Sequence, residues 1–433
     1  MSALAPVAPI SDTLADAAPR MRILFLNPSG LFGGAERSLI DIIASIRAAR
    51  PNWEMRLVAG SDGPLIRRAR AMNVDANILP MPPSLAQLGD SAMRASAGAS
   101  RARLTMAAGI LGAAIATNRY TATLSREIER VAPTLIHTNG FKMHLLGAWA
   151  ARRKTPVIWH IHDYVGARPV MSRLMRMQAS RCAAAIANSD SVRREFRLIC
   201  NDRIETTTVY NAVDLDQFSP AGTTIDLDAL AGMPAAPLNT VRVGLVATMA
   251  RWKGHEVFLR AIAGLPDSAR SRVRAYVIGG AIYPTRGSQL SIDELRATSQ
   301  QLGISDRVGF TGFVDDVAAA IRALDIVVHA STEPEPFGLA IIEAMSCAKP
   351  VIASAAGGAA EVAQLSGGVT MHPPGDSAAL ARCIERLVVD PSERASLGAA
   401  GRASAEKLFR RSRLADQIVP IFERVAGVKP RCA

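Results

Sequence analysis

Two carboxylates, Glu335 and Glu343, flank an apolar run in this chain. The full segment, residues 331–343, reads Ser-Thr-Glu-Pro-Glu-Pro-Phe-Gly-Leu-Ala-Ile-Ile-Glu. Its two prolines hold the entry extended, and the apolar residues after Gly338 have helical spacing. The segment therefore predicts a loop that becomes a buried helix. If this helix starts near Phe337, Glu343 lies roughly 9 Å further along its axis, at about 1.5 Å per residue.

Such a helix start suits a phosphate, because its free N–H groups and the helix dipole favour an anion. A carboxylate on each side suits hydroxyl-rich groups, and Gly338 lets a ligand approach the backbone closely. A nucleotide-sugar has this layout, with a sugar, a diphosphate and a ribose in that order. For either glutamate by itself, an exposed position on an amphipathic helix is an equally good interpretation. The complete segment favours the nucleotide-sugar.

The segment resembles the Glu-x7-Glu signature of GT-B glycosyltransferases, specifically the large retaining family 4. The resemblance covers nearly the whole chain after residue 20. It implies that Glu335 holds the hydroxyls of the donor sugar and that Glu343 holds the ribose. It also implies that the backbone approaches the sugar and the diphosphate at Phe337, Gly338 and Leu339.

A second motif, residues 248–255, follows an apolar strand and reads Thr-Met-Ala-Arg-Trp-Lys-Gly-His. It resembles the family's clamp of one Arg and one Lys, whose fixed charges neutralise the charge that grows on the leaving diphosphate. Lys253 matches the family's Lys. Thr248 stands where the family usually has Arg, so Arg251 is left to supply the guanidinium. Without the resemblance, Arg251 and Lys253 would be interpreted as solvated surface charges.

The N-terminal half has a glycine pair, Gly33-Gly34, between the first strand and the first helix. A backbone without Cβ can approach an anion there. The pair does not form G-x-G-x-x-G, so a nicotinamide cofactor is not indicated, and the P-loop pattern is also absent. In the resembled family this loop touches the donor diphosphate or the acceptor. Glu36 and Arg37 are expected to begin the helix and to orient the loop.

Histidines end two strands of the predicted N-terminal sheet. His160 and His162 point to the same side, because they are two residues apart on a strand. His162 matches the family position whose His lies beside the anomeric centre; without the resemblance, a hydrogen-bonded His at a strand end is the better interpretation. His137 and Asn139 end another strand, and we assign them a minor acceptor-side role.

Two loops of the C-terminal half complete the expected donor pocket. Phe313 and Val314, after Gly312, resemble the loop that borders the nucleotide base. The sequence Gly-Gly-Ala-Ala-Glu at 357–361 resembles a glycine-rich loop that supports the pocket.

Asp214-Leu215-Asp216 has the form of the Asp-x-Asp metal motif of other glycosyltransferases. It falls in a stretch that resembles the interdomain segment of family 4, so we interpret the match as fortuitous. No His/Cys group has metal-ligand spacing either. We therefore expect no required metal and no cofactor, with a nucleoside-diphosphate sugar as co-substrate.

Apolar strand-like runs alternate with helical stretches along the 433 residues. This alternation predicts an α/β fold with two Rossmann-like, doubly wound parallel-sheet domains that face a cleft. Ten strands are predicted, at 21–27, 55–59, 135–138, 157–162, 184–188, 241–247, 275–279, 307–311, 326–330 and 350–353. We divide the chain into a disordered tail (1–20), an acceptor-side domain (21–212), a linker (213–240) and a nucleotide-sugar-binding domain (241–400). The remainder (401–433) is a tail and a closing helix that, by the resemblance, returns to the N-terminal domain.

The excess of positive over negative charge lies entirely in the N-terminal half. Residues 21–212 carry 26 Lys and Arg against 13 Asp and Glu, whereas residues 213–433 carry 23 of each. This asymmetry favours an anionic partner such as a membrane surface or a lipid diphosphate. An Arg-rich solubility surface is the alternative, and no nucleic-acid motif accompanies the charge. Residues 81–120 and 171–181 mix apolar residues with Arg, and each is either a membrane-surface helix or a core helix.

Location follows from what the sequence lacks. The five cysteines have no disulfide or metal pattern. The first 20 residues do not resemble a signal peptide, and the longest weakly polar stretch, 104–117, is too short to span a bilayer. We expect a cytoplasmic protein, with peripheral attachment to the inner face of the membrane left open.

Together these features predict a retaining, metal-independent glycosyltransferase that moves a sugar from a nucleoside-diphosphate donor to an acceptor hydroxyl. The sequence Leu-Phe-Gly-Gly-Ala-Glu-Arg at 31–37 resembles the loop of bacterial envelope or exopolysaccharide transferases. That likeness favours a lipid-linked or cell-envelope saccharide as the acceptor. The alternatives are a non-catalytic protein that binds a nucleotide-sugar or an anionic lipid on the same scaffold, and a nucleotide-sugar epimerase.

Overall fold

The computed structural model describes residues 20–86, 102–280 and 289–427. The predicted disordered tail lies outside these ranges except for Arg20, and so do residues 428–433 at the predicted C-terminal tail. The predicted insertion at 81–120 is described only at 81–86 and from residue 102 onward, where a helix runs from Ala102 to Val131.

Seven parallel strands form the N-terminal sheet, in the order β3-β2-β1-β4-β5-β6-β7. Side chains on β1 alternate between two apolar cores, with Ile23 and Phe25 in one and Leu24 and Leu26 in the other. Both faces of the sheet are therefore covered, as parallel sheets require. The strands are β1 (Arg22–Asn27), β2 (Glu54–Ala59), β3 (Asp75–Ile78), β4 (Leu135–Asn139), β5 (Val157–Ile161), β6 (Ala184–Ala187) and β7 (Thr206–Thr208).

Six parallel strands form the C-terminal sheet, in the order β10-β9-β8-β11-β12-β13. It too lies between two cores, since Val277 packs into one and its neighbours Tyr276 and Ile278 pack into the other. The strands are β8 (Val241–Val246), β9 (Val273–Ile278), β10 (Val308–Gly312), β11 (Ile326–His329), β12 (Val351–Ser354) and β13 (Val369–His372).

The two sheets confirm the predicted fold class of two Rossmann-like parallel-sheet domains. All ten predicted strands occur, with ends within two residues of those expected. The three strands that the sequence did not predict, β3, β7 and β13, each lie at the edge of a sheet. An edge strand is hydrogen-bonded on one side and partly exposed, so its sequence need not contain a continuous apolar run.

Helices connect the strands and cover the sheets. In the first domain and the linker they are Gly34–Ala49, Pro64–Ala71, Pro83–Ala86, Ala102–Val131, Phe141–Ala150, Pro169–Gln178, Asp190–Cys200 and Leu227–Leu230. In the second domain they are His255–Ala263, Asp267–Arg270, Ile292–Gln301, Val317–Arg322, Leu339–Ser346, Gly357–Leu365, Ser377–Val389 and Pro391–Leu408. Short 3-10 turns occupy Ala179–Arg181 and Arg251–Lys253.

The last described helix, Arg411–Val425, joins the core of the N-terminal domain through Leu414, Ile418 and Phe422. The sequence predicted one closing helix within 401–433, but a helix that began at Pro391 continues to Leu408 and the chain breaks there before Arg411–Val425. At the break, the N–H of Val213 donates to the carbonyl of Phe409 at 2.8 Å. The linker that leaves the N-terminal domain and the chain that returns to it thus lie next to each other where they cross between the domains.

No helix in the part of the chain that the structure describes is long and apolar enough to cross a membrane. The helix Pro169–Gln178 is amphipathic: Met175 is fully buried, whereas Arg173, Arg176 and Met177 are exposed.

We predict that Phe422→Ala lowers the free energy of unfolding by about 3–5 kcal/mol, because it empties a fully buried aromatic position. Chemical denaturation followed by circular dichroism measures this change. The matched truncation Leu198→Ala, at a side chain that is 77% exposed, should leave stability near that of the wild type. Equal effects of the two substitutions would contradict the packing of the last helix.

Candidate active site

The carboxyl ends of the two sheets meet at a cleft of about 380 Å³ that residues of both domains line. Eleven of the twelve residues that the sequence predicts for catalysis and donor binding line this cleft. They are Gly33, Gly34, His162, Lys253, Phe313, Val314, Glu335, Phe337, Gly338, Leu339 and Glu343. Phe313 is 61% exposed and lies at the rim. The exception is Arg251.

Glu335 is buried and fully paired. The Nζ of Lys253 donates to both of its carboxylate oxygens, at 2.8 Å and 2.6 Å. The Ser331 hydroxyl donates to Oε2 at 2.9 Å, and His329 Nε2 lies 3.2 Å from the same oxygen. Burial opposes ionisation of Glu335, but the Lys253 charge and the His329 hydrogen bond hold its pKa well below the usual range. In this structure the cleft therefore contains an ion pair between Glu335 and Lys253.

The backbone of Glu335 is fixed by the first turn of the helix Gly357–Leu365, the segment that the sequence interpreted as a glycine-rich supporting loop. The N–H of Gly358 donates to the Glu335 carbonyl at 2.6 Å. A Cβ at residue 358 would collide with the carbonyl of Pro336, so only glycine permits this approach.

The structure does not place the Arg251 guanidinium among the groups that line the cleft, where the sequence expected it. Its Nη2 donates to Glu294 Oε1 at 2.7 Å, and the side chain is 48% exposed. Arg251 opens a 3-10 turn, and Lys253 closes the same turn with its Nζ 4.1 Å from the centre of the Trp252 ring. The turn therefore directs Lys253 into the cleft and leaves Arg251 at the surface.

The helix that carries Glu343 begins at Leu339, two residues later than the sequence suggested. Gly338 precedes it with φ of +91°, a conformation that favours glycine. The Phe337 side chain is buried against Tyr210 and Phe409, with ring centroids 6.3 Å and 6.0 Å away. Its side chain is therefore part of the core, and only its backbone is available to a ligand.

Glu343 forms an ion pair across the cleft with Arg37 of the other domain, at 2.6 Å between Oε1 and Nη1. The Glu343 side chain is 7% exposed and that of Arg37 is 30% exposed. The sequence assigned Arg37 to the helix start and did not reveal this contact. No local signal could have done so, because the partners are 306 residues apart.

A buried polar network fixes the Gly33-Gly34 loop. The Glu36 carboxylate accepts from the N–H of Gly33 at 3.0 Å and from Asn27 Nδ2 at 3.2 Å. Burial raises the pKa of Glu36. Asn139 Nδ2 donates to Asn27 Oδ1 at 2.7 Å, so Asn139 supports this loop and is not one of the cleft-lining residues. This placement corrects the acceptor-side role expected for Asn139.

The histidines form a column that leads from the cleft into the core. The His162 and His160 rings lie 3.9 Å apart, and His137 follows at 5.2 Å from His160. His137 is fully buried against Phe422 and does not line the cleft, which corrects its expected acceptor-side role. Burial lowers the pKa of His162 to about 3, so this ring is neutral at physiological pH.

Glu361 connects the two domains behind the cleft. Its carboxylate accepts from the N–H groups of Asp190 and Ser191, at 2.9 Å and 3.1 Å, and from the Tyr210 hydroxyl. A carboxylate of the second domain thus caps the N-terminus of the helix Asp190–Cys200 in the first domain, where the helix dipole favours an anion. The sequence placed Glu361 in a supporting loop and did not reveal this partner.

Asp214 of the Asp-x-Asp sequence is paired with Arg411 and accepts from two nearby backbone N–H groups. These contacts give it a structural role at the domain junction. Within the three described ranges, no group of three or more His, Cys, Asp or Glu side chains is arranged to hold a metal ion.

Known families match both halves of the chain. The family described as Glycosyltransferase Family 4 matches residues 32–217, and the family described as Glycosyl transferases group 1 matches residues 234–404. A phosphatidyl-myo-inositol mannosyltransferase of Mycobacterium leprae is 30% identical over 290 residues, which cover 65% of this chain and 71% of the relative.

Two further proteins are similar to this chain. A D-inositol 3-phosphate glycosyltransferase of Mycobacterium sp. (strain JLS) is 34% identical over 190 residues, and this chain spans only 40% of that relative. The crystal structure of Anabaena Alr3699/HepE in complex with UDP-glucose is 26% identical with a TM-score of 0.73, and covers 94% of this chain and 100% of the relative.

We predict that stability falls as the pH drops below about 6.5. Burial lowers the pKa of His137 to about 3 and that of His160 well below its ordinary value of 6.5. Unfolding therefore takes up protons, and each histidine lowers the free energy of unfolding by about 1.4 kcal/mol per pH unit. Asp41, whose pKa burial raises to about 7, acts in the opposite direction.

Urea unfolding between pH 5 and pH 8 tests this prediction. The variant His137→Leu removes one titrating group and should show a shallower decline between pH 6 and pH 5 than the wild type. An identical slope in the two proteins would contradict the burial of a neutral histidine at this position.

Proposed function

The chain belongs to glycosyltransferase family 4, and on that premise we propose that it transfers a sugar from a nucleoside-diphosphate donor to an acceptor hydroxyl with retention of configuration. The observation that carries the proposal is the position of Lys253, Glu335 and Glu343 in one cleft between two Rossmann-like domains. A carboxylate for a sugar, a cation for a diphosphate and a carboxylate for a ribose form the set that a nucleotide-sugar needs. The UDP-glucose bound by the Anabaena relative supports a donor of this class.

In the proposed reaction the bond between C1 and the diphosphate oxygen breaks, and its electron pair goes to that oxygen. Lys253 and the N–H groups at the start of Leu339–Ser346 neutralise the developing charge, a preorganised form of stabilisation that needs no metal. The acceptor oxygen bonds to C1 on the same face, and its proton goes to an oxygen of the leaving phosphate. Domain closure holds the two reactants in this orientation.

Glu335 and Glu343 serve binding in this proposal, rather than forming the nucleophile and acid/base pair of a retaining hydrolase, whose carboxyl groups are about 5 Å apart. Glu335 holds hydroxyls of the donor sugar, and Glu343 holds the ribose. Desolvation keeps the half-buried His162 ring neutral, and it contributes a hydrogen bond beside the anomeric centre rather than a charge. Phe313 and Val314 border the base.

We further propose that the acceptor is a saccharide, lipid-linked or part of a cell-envelope polymer, presented at an anionic membrane surface. The positive charge of residues 21–212 supports this choice. So does the exposed face of the helix Pro169–Gln178, where Arg173 and Arg176 accompany an exposed Met177.

Replacing the paired residues tests the site. We predict that Lys253→Ala and Glu335→Gln each lower kcat for the best donor among UDP-, GDP-, ADP- and TDP-sugars by about 10²–10³-fold, the cost of removing a preorganised electrostatic contact. Release of the nucleoside diphosphate measures turnover. Arg251→Gln removes a neighbouring charge outside the cleft and should retain wild-type activity. Full activity of both cleft variants would contradict the assignment of the site. Donor binding by the wild type without turnover would contradict the proposed enzymatic activity.

Binding to vesicles tests the proposed membrane surface. We predict binding to phosphatidylglycerol vesicles at about 0.01 M salt. This binding should be lost near 1 M salt, because the Debye length falls from about 30 Å to about 3 Å. Removing Arg173 and Arg176 together by Gln substitution should weaken binding about fivefold per charge, from about 1 kcal/mol each. The matched pair Arg260→Gln and Arg296→Gln removes two exposed charges from the neutral half and should have no effect. No binding at low salt would contradict this partner.

A further inference from the structure

The expected leaving-group clamp lacks one cation in this chain. Thr248 stands where a guanidinium is expected, and it lines the cleft without a charge. The nearby Arg251 is held at the surface by Glu294. Lys253 is therefore the cation that the 248–255 segment contributes to the cleft, and it already neutralises Glu335.

A guanidinium does reach the cleft from the opposite domain. Arg37 lies in the first turn of the helix Gly34–Ala49, directly after the glycine loop. This turn faces the start of the donor-side helix, since a Cβ on Gly34 would lie 3.6 Å from Leu339 Cδ1. Arg37 thus lines the same cleft as Gly338 and Leu339, at the helix start that the proposed diphosphate would use. Its guanidinium also lies 5.9 Å from the centre of the Phe32 ring.

The partner of Arg37 is the residue that the donor would engage. Glu343 binds Arg37 at 2.6 Å and is the proposed ligand of the ribose. Ribose hydroxyls that donate to Glu343 would compete with the guanidinium for the carboxylate oxygens. Arg37 would then need another anion, and the diphosphate lies next to the ribose in any nucleotide-sugar.

We propose that Arg37 is the second cation of the leaving-group clamp, supplied by the acceptor-side domain and held by Glu343 until a donor binds. The inference rests on the proposed function, because it assigns a role in that reaction. Its consequence is that the clamp is complete only when both domains contact the donor. Charge on the leaving diphosphate is then fully neutralised only in the closed cleft, where the acceptor is also held.

Binding of a graded ligand series tests the assignment. UDP, GDP, ADP and TDP are first screened by calorimetry on the wild type, and the best diphosphate is compared with its nucleoside. The ratio of the two affinities isolates the contribution of the diphosphate. We expect Arg37→Gln to lower this ratio about ten- to a hundredfold, the range for a hydrogen bond to a charged group, and to lower kcat. Arg37→Lys should retain part of both.

Arg68→Gln is the matched control. Arg68 lies over the same Phe32 ring at 4.4 Å, and it does not line the donor cleft. Its loss removes the same charge from the same domain and should leave the ratio unchanged. An equal effect of Arg37→Gln and Arg68→Gln would mean that only long-range attraction is involved, and would overturn the proposal.

A second-site rescue separates this role from a structural one. Thr248→Arg returns a guanidinium to the position where the sequence motif expects it, on the donor-side domain. In the Arg37→Gln background, Thr248→Arg should raise kcat at least tenfold, the effect expected of a hydrogen bond to a charged group. In the wild type, the same substitution should change kcat little. A structural defect at Arg37 would not be repaired from residue 248, so absence of rescue counts against the proposal.

The outcomes distinguish this proposal from the one on which it rests. If the wild type binds none of the four diphosphates, the proposed function fails. If it binds one and Arg37→Gln leaves the ratio unchanged, the function stands and the role of Arg37 fails. If the substitution tightens nucleoside and diphosphate equally, Arg37 only competes for Glu343, and the clamp assignment is again overturned.

Discussion

A carboxylate that is buried away from water must be paired with a cation or with hydrogen-bond donors. The cleft is arranged around one such paired carboxylate. Removing one partner of a buried ion pair costs about 3–5 kcal/mol, because it strands the other charge. Glu335 satisfies this requirement with two bonds from Lys253 and one from Ser331. Lys253 gives two of its three N–H donors to Glu335, so it can turn fully to a phosphate only if other donors replace it there. Sugar hydroxyls are such donors, so in the proposed reaction the binding of the sugar frees the cation that its leaving group needs.

The junction between the domains contains further polar contacts that can exchange partners. Arg37 pairs with Glu343, Glu361 caps a helix of the other domain, and Arg411 binds both Asp41 and Asp214. These polar contacts can change partners at a small net change in free energy only where each buried carboxylate finds a new donor, because an unpaired buried charge is costly. The apolar contacts of the last helix cannot be exchanged in this way. The burial of this helix against the first domain therefore fixes where the chain crosses between the domains. The contacts on the cleft side are the ionic ones.

The fold was predictable because each central strand must be apolar on both faces. A short continuous apolar run between turns is a strong signal for such a strand, and it located all ten predicted strands within two residues. The signal fails at three of the four edge strands, β3, β7 and β13. β7 is Thr-Thr-Thr and half-buried, and β13 exposes Met371. These segments become strands because a neighbouring strand offers them hydrogen bonds, which is a property of the sheet and not of their own sequence.

Some site residues can be predicted from the local sequence, whereas the positions of others depend on residues far away in the chain. Glu335, Gly338 and Glu343 lie in one segment, where the spacing of a loop and a helix already places them on one side of the fold. Arg37 and Glu361 act on the opposite domain, and their partners are 306 and 171 residues away. For charged residues, a local sequence favours the solvated surface, so Arg251 and Arg37 could not be told apart before folding. The difference between them is which carboxylate folding brings within reach. Glu294 draws Arg251 to the surface, whereas Glu343 holds Arg37 in the cleft, and charge at the site therefore depends on how the two domains meet.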